Sequence, residues 1–149
     1  MGQGSEFVVR LPLAHGAVQP SVRPAAPLQL PARRILVIED NRDGREMLGL
    51  LLRMSGYEVL EAASGNEGMR LAQQYSPAIV LVDIGLPDID GYEIARRLRQ
   101  IVGSAIRLVA LTGYGQPQDR TRSQEAGFDA HLVKPVDLSK LAEAVGQRA

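Results

Sequence analysis

Apolar positions from residue 34 onward fall into two alternating rhythms. Short, nearly unbroken runs occur at ILVI (35–38), YEVLEA (57–62), AIVLV (78–82), RLVAL (107–111) and AHLV (130–133). Between them lie stretches of ten to fifteen residues whose apolar positions recur at helical spacing. Runs as apolar as AIVLV suit strands buried on both faces. Strand and helix alternate five times, which predicts an α/β fold, a parallel sheet covered by helices on both sides. Helix starts are marked by Ser64 with Glu67 and by Asp90 with Glu93, each at capping-box spacing, and Asp137 can cap the last helix. Gly56, Gly103 and Gly127 follow the periodic stretches, where helices often end. A domain of this length buries roughly 65% of its unfolded surface, enough to fold on its own core.

The first 33 residues follow neither rhythm. Five of the nine prolines lie between Pro12 and Pro31, in a segment rich in Ala, Gln and Val that reads as an extended, semi-rigid linker. Ahead of it, EFVVRLPL (6–13) has strand composition, but one strand cannot stand alone. The division is therefore 1–13, a strand without its sheet; 14–33, the linker; and 34–149, the α/β domain.

Composition removes several function classes. The 149 residues carry 17 basic and 17 acidic side chains, so the polycation signature of a nucleic-acid binder is missing. Three of the basic and one of the acidic residues precede position 34, leaving 14 and 16 in the domain; direct nucleic-acid binding is not expected. With no cysteine and only His15 and His131, thiol catalysis and histidine-rich metal sites are excluded. No apolar run approaches the roughly 20 residues of a membrane helix. The expectation is a cytoplasmic segment without membrane contact.

In an open parallel sheet ligands bind beyond the carboxyl ends of the strands, where strand order reverses. The residues ending the runs are Glu39-Asp40, Asp83, Thr112 and Lys134-Pro135. Carboxylates about 4 Å apart repel by a few kcal/mol per pair at an effective dielectric near 20, so this cluster calls for a cation. Short oxygen ligands with room for water suit Mg2+. Lys134, one of two lysines beside fifteen arginines, can hold a phosphoryl oxygen as a point charge while Thr112 donates to another.

The segments IEDN (38–41), DIGLPDIDGYE (83–93), LTGY (111–114) and GFDAHLVKP (127–135) together resemble the receiver domains of two-component response regulators, in that family's order and spacing. The resemblance implies a flavodoxin-like, doubly wound (βα)5 fold with strand order 2-1-3-4-5. It implies Asp83 as phosphoacceptor; Asp40, Asp83 and the Gly85 carbonyl as Mg2+ ligands, with Glu39 acting through water; Thr112 and Lys134 as the phosphoryl-binding pair; and a cis Lys134–Pro135 bond. The implied function is to accept a phosphoryl group from phosphohistidine on a histidine kinase or a histidine phosphotransfer domain and to switch partner interactions, a signalling role and not that of an enzyme. A weak homodimer is a further expectation. The switch position three residues before the lysine, aromatic in the family, is His131 here. An imidazole there would bring pH sensitivity, an idea that fails if His131→Phe leaves the pH profile of partner response unchanged.

Residues 2–13 (GQGSEFVVRLPL) resemble the last strand of histidine-kinase ATP-binding domains. Kinase domain, linker and receiver in that order imply the C-terminal piece of a hybrid histidine kinase. The rival reading is an aspartate-nucleophile phosphatase of small phosphorylated substrates. That chemistry generally uses a second carboxylate two residues after the nucleophile, and Gly85 stands there. A flavin or nucleotide carrier needs a phosphate cradle after the first strand, which the acidic EDN would repel. Asp88 and Asp90 are assigned to loop and cap, and Tyr92, Tyr114 and Phe128 to packing.

Overall fold

The computed structural model describes residues 33–113 and 117–146. The strand expected at 6–13, the linker up to residue 32 and Tyr114 lie outside the described residues. The described chain runs β1 (Arg34–Ile38), α1 (Arg42–Met54), β2 (Glu58–Ala62), α2 (Gly65–Tyr75), β3 (Ile79–Asp83), α3 (Gly91–Val102), a 3-10 turn (Gly103–Ala105), β4 (Arg107–Thr112), α4 (Pro117–Ala126), β5 (Ala130–Val133) and α5 (Leu138–Gly146). All strand pairs are parallel, in the order β2-β1-β3-β4-β5. Fold class and strand order agree with expectation. Among the described residues no helix is long and apolar enough to cross a membrane.

Alternate residues of the central strands feed two separate cores, as the period of two demands. Leu36, Ile38, Val80, Val82, Leu108 and Ala110 face α2, α3 and α4, whose Ala72, Ile94, Leu98 and Ala126 complete that layer. Ile35, Val37, Ile79, Leu81, Val109 and Leu111 face Leu48 and Leu52 of α1 and Leu141 and Val145 of α5. Each fully buried Leu, Ile or Val contributes about 1.5–3 kcal/mol, so β1, β3 and β4 form a rigid floor. At the edge, β2 begins at Glu58, one residue later than the apolar run suggests, and remains half-exposed.

Side-chain caps fix where the helices start. Asn41 accepts from the Gly44 N–H (2.9 Å) to open α1. Ser64 accepts from the Glu67 N–H, while the Glu67 carboxylate reaches back to the Ala63 N–H (2.9 Å), one residue beyond the usual partner. Asp90 accepts from the Tyr92 N–H (2.9 Å), but Glu93 pairs with Arg96 and Arg97. The Asp90/Glu93 spacing thus yields a cap without the reciprocal bond, because two arginines lie within one helical turn of the glutamate. Asp137 caps α5 through the Ser139 and Lys140 N–H groups. Gly56, Gly103 and Gly127 have φ of 87°, 69° and 98°, whereas α2 stops on Ser76 at φ 45°.

Candidate functional site

The connections from β1 and β3 leave in opposite directions along the sheet, so a crevice opens over their carboxyl ends. Asp83 is the last residue of β3, 6% exposed, and one of its carboxylate oxygens accepts from the Gly85 N–H at 3.1 Å. Glu39 follows β1 directly. It is 2% exposed; its backbone N–H bonds the Ala62 carbonyl and its carboxylate accepts from the Asn41 N–H at 3.1 Å. Asp40 stands at the exposed rim, and one oxygen from each of Glu39, Asp40 and Asp83 lies within 4.8 Å of the others.

Lys134 enters from the turn after β5. Its backbone N–H bonds the Thr112 carbonyl at 2.7 Å, tying the ends of β4 and β5 together. The Lys134–Pro135 bond is cis. The ammonium reaches across to Glu39 Oε2 at 2.6 Å and Asp83 Oδ2 at 3.2 Å. Burial alone would lower the Lys134 pKa, but the hydrogen bond to Glu39 and the charge of Asp83 outweigh it and hold the ammonium above its ordinary value. On the other side of the pair, burial pushes the Glu39 carboxyl up, against the pull of Lys134 and the Asn41 N–H.

Thr112 ends β4 and is 5% exposed. With Asp83, Gly85, Gly113, Tyr92 and Lys134 it lines a cleft of about 370 Å3. Every sequence-derived site residue except His131 therefore borders the cleft or its acidic rim. His131 stands one layer back, with Nε2 3.4 Å from Thr112 Oγ1. Burial, helped by the charge of Arg120 and opposed by Asp119, lowers its pKa.

Three carboxylates facing one ammonium leave two negative charges uncompensated, and the donors are hard oxygens on short side chains. That donor set fits a divalent cation of the Mg2+ type.

Three supporting contacts were not expected from the sequence, which assigned Asp88 to loop and cap duty without its partner. Arg45 donates to the carbonyls of Glu39 (2.8 Å) and Asp40 (3.3 Å), pinning the acidic loop from α1. Asp88 accepts from the Gly65 and Asn66 N–H groups, both at 3.0 Å, and so ties the loop after β3 to the start of α2. Gly91 brings α3 against the end of β3; a Cβ there would sit 2.6 Å from the Asp83 carbonyl oxygen and 2.7 Å from Ile84 Cα. Besides the loop-and-cap role of Asp88, the Gly91 signal, a glycine one residue beyond a capping aspartate, was visible in the sequence.

Residues 35–146 match the family model of the response regulator receiver domain. The chain is 35% identical over 113 residues to the DNA-binding dual master transcriptional regulator RpaA of Synechocystis, a match covering 75% of this chain and 47% of that protein. It is 30% identical over 112 residues to sporulation initiation phosphotransferase F of Bacillus subtilis, covering 75% and 90%. It therefore spans about half the length of some curated relatives and nearly all of others. Among solved structures, a CheY-like receiver domain protein from Methanospirillum hungatei is similar at TM-score 0.72 and 30% identity, over 77% of this chain and 91% of that one.

Proposed function

The chain belongs to the response regulator receiver family, and from that membership we propose that Asp83 is its phosphoacceptor, charged by a phosphohistidine on a histidine kinase or histidine phosphotransfer domain. The observation that carries this reading is the Lys134 ammonium held 2.6 Å from Glu39 and 3.2 Å from Asp83. A cation so placed can follow negative charge from the carboxylate onto a phosphoryl group.

In the step itself, a carboxylate oxygen of Asp83 bonds to phosphorus as the P–N bond of the donor breaks. The electron pair leaves with the ring nitrogen, and the ring departs neutral because its other nitrogen carries a proton. Such transfers need positioning and charge neutralisation more than covalent assistance. The Gly85 N–H fixes the rotation of the Asp83 carboxylate. Lys134 takes one phosphoryl oxygen, Thr112 donates its hydroxyl to a second, and Gly113 leaves space for the group. Asp40, Asp83 and the Gly85 carbonyl, with Glu39 through water, would hold Mg2+, which when bound neutralises phosphoryl charge.

Met47, Leu50 and Met54 of α1 are 58%, 53% and 77% exposed and recur at i, i+3 and i+7 along the helix that leads away from the acidic loop. This apolar stripe suits a helical donor. The order of the segments 1–13, 14–33 and 34–149 supports a hybrid histidine kinase as the parent protein. A phosphatase reading is weaker, since Gly85 occupies the position of the general acid.

The test is incubation with Mg2+ and acetyl phosphate followed by intact mass. One phosphoryl adduct per chain, absent in Asp83→Asn, is the expected result. Turnover of the donor without an adduct would favour hydrolysis and overturn the reading.

A further inference from the structure

Two buried polar atoms among the described residues have no hydrogen-bond partner: Ser123 Oγ and His131 Nδ1. They come from different elements, α4 and β5, yet both residues line one cavity of about 240 Å3, together with Arg120, Gln124, Phe128 and Asp129. Ser123 is 2% exposed, so its hydroxyl has given up water without an evident return; a buried unpaired hydroxyl costs about 1–3 kcal/mol. The other ring nitrogen of His131 faces Thr112 Oγ1 at 3.4 Å. The series Thr112, His131, Ser123 therefore leads from the cleft to the interior face of α4.

We propose that Ser123 is a positioning residue that acts through His131, completing a hydroxyl–imidazole–hydroxyl relay whose direction is set by the phosphoryl group. The proposal rests on the reading of Asp83 as phosphoacceptor, and follows from counting protons. A threonine hydroxyl has one proton, and a neutral imidazole has one N–H and one acceptor nitrogen. Once Thr112 gives its proton to a phosphoryl oxygen, Oγ1 can only accept from His131, which requires the proton on Nε2. Nδ1 is then an acceptor, and the hydroxyl able to donate to it is that of Ser123. Phosphorylation thus fixes one tautomer and with it the sense of a hydrogen bond between α4 and β5, in which the Ser123 hydroxyl donates and His131 Nδ1 accepts. A phenylalanine at position 131 could fill space but could not carry this signal.

The experiment uses the full chain, labelled with 15N in histidine, with excess acetyl phosphate and Mg2+ at a pH where His131 is neutral. Intact mass reports the adduct and 15N resonances report the tautomer. The expected result is that the adduct shifts His131 predominantly to the Nε2–H form, with an Nδ1 resonance typical of a hydrogen-bonded acceptor. In Ser123→Ala the adduct yield stays within about twofold, while the Nδ1 resonance moves to its unbonded position; Ser123→Thr restores it, the cavity leaving space for a methyl. An adduct without a change of tautomer, or an Nδ1 resonance indifferent to Ser123→Ala, overturns the relay alone. No adduct in the unsubstituted chain overturns the phosphoacceptor reading and the relay with it.

Discussion

At the scale of single residues, two positions have stability effects whose sign can be worked out. Ser76 ends α2 with φ 45° and ψ 60°, a conformation costing a side-chain-bearing residue about 1–2 kcal/mol. Ser76→Gly removes that cost but adds about 0.5–1 kcal/mol of unfolded-chain entropy. A net gain of about 0.5 kcal/mol is expected in urea unfolding. His131 has a folded pKa below its ordinary 6.5, through burial first and the Arg120 charge second. The unfolded chain therefore binds a proton that the folded chain refuses, and His131's contribution to stability is lost as pH falls below about 6.5. Asp119 opposes the shift, and Arg107, Asp129, Lys140 and Glu143 border the same region. Between about pH 8 and pH 5, His131→Phe should lose less stability than the unsubstituted chain; parallel urea titrations would decide, and equal losses would refute it.

At the scale of elements, the acidic site depends on how α1 and α3 meet the sheet. Gly91→Ala forces its new methyl against backbone at Asp83 and Ile84, neither of which can swing aside. Overpacking of this kind costs about 1–3 kcal/mol, and because the displaced atoms carry Asp83, the proposed phosphoacceptor, the rate of adduct formation should fall as well as the midpoint of unfolding. A fall in stability with unchanged phosphorylation would separate the two roles. The strands were legible in sequence because β1, β3 and β4 are apolar on both faces. So were the helix ends at Gly56, Gly103 and Gly127. What did not show were the contacts that brace the site from other elements: Asp88 capping α2 from over twenty residues away, Arg45 holding the acidic loop, and Arg122 of α4 lying 4.4 Å over the Tyr92 ring while approaching Asp90. Such pairings follow from strand order and helix placement, which periodicity alone does not specify. Likewise α4 displays almost no apolar stripe, and of its residues 119–126 only Ser123 and Ala126 are buried, so its orphaned hydroxyl could not be foreseen.

At the scale of the whole molecule, fold and site are coupled through charge. Mg2+ binding to the folded chain only, at ten times its dissociation constant, would raise the unfolding free energy by about 1.4 kcal/mol. The increment should vanish on chelation and in Asp40→Asn, whose carboxylate sits exposed at the rim; an identical increment in that variant would mean the ion binds elsewhere. Four of the residues at the carboxyl edge, Glu39, Asp83, Thr112 and Lys134, were visible from the sequence as ends of apolar runs, because a parallel sheet gathers all such ends on one side. That Lys134 spans to Glu39 as well as to Asp83 was not visible, since it depends on the actual separation of β5 from β1 across two intervening strands.

The reach of that one side chain has a consequence for signalling. An ammonium has three protons, and here it already serves two carboxylates. An acyl phosphate on Asp83, as proposed, would compete with Glu39 for that ammonium, so the first strand's end would feel an event whose chemistry belongs to the third. Hydrolysis would return the old arrangement without any further input. On that proposal the domain would keep its memory of a donor encounter in which anions a single cation accompanies.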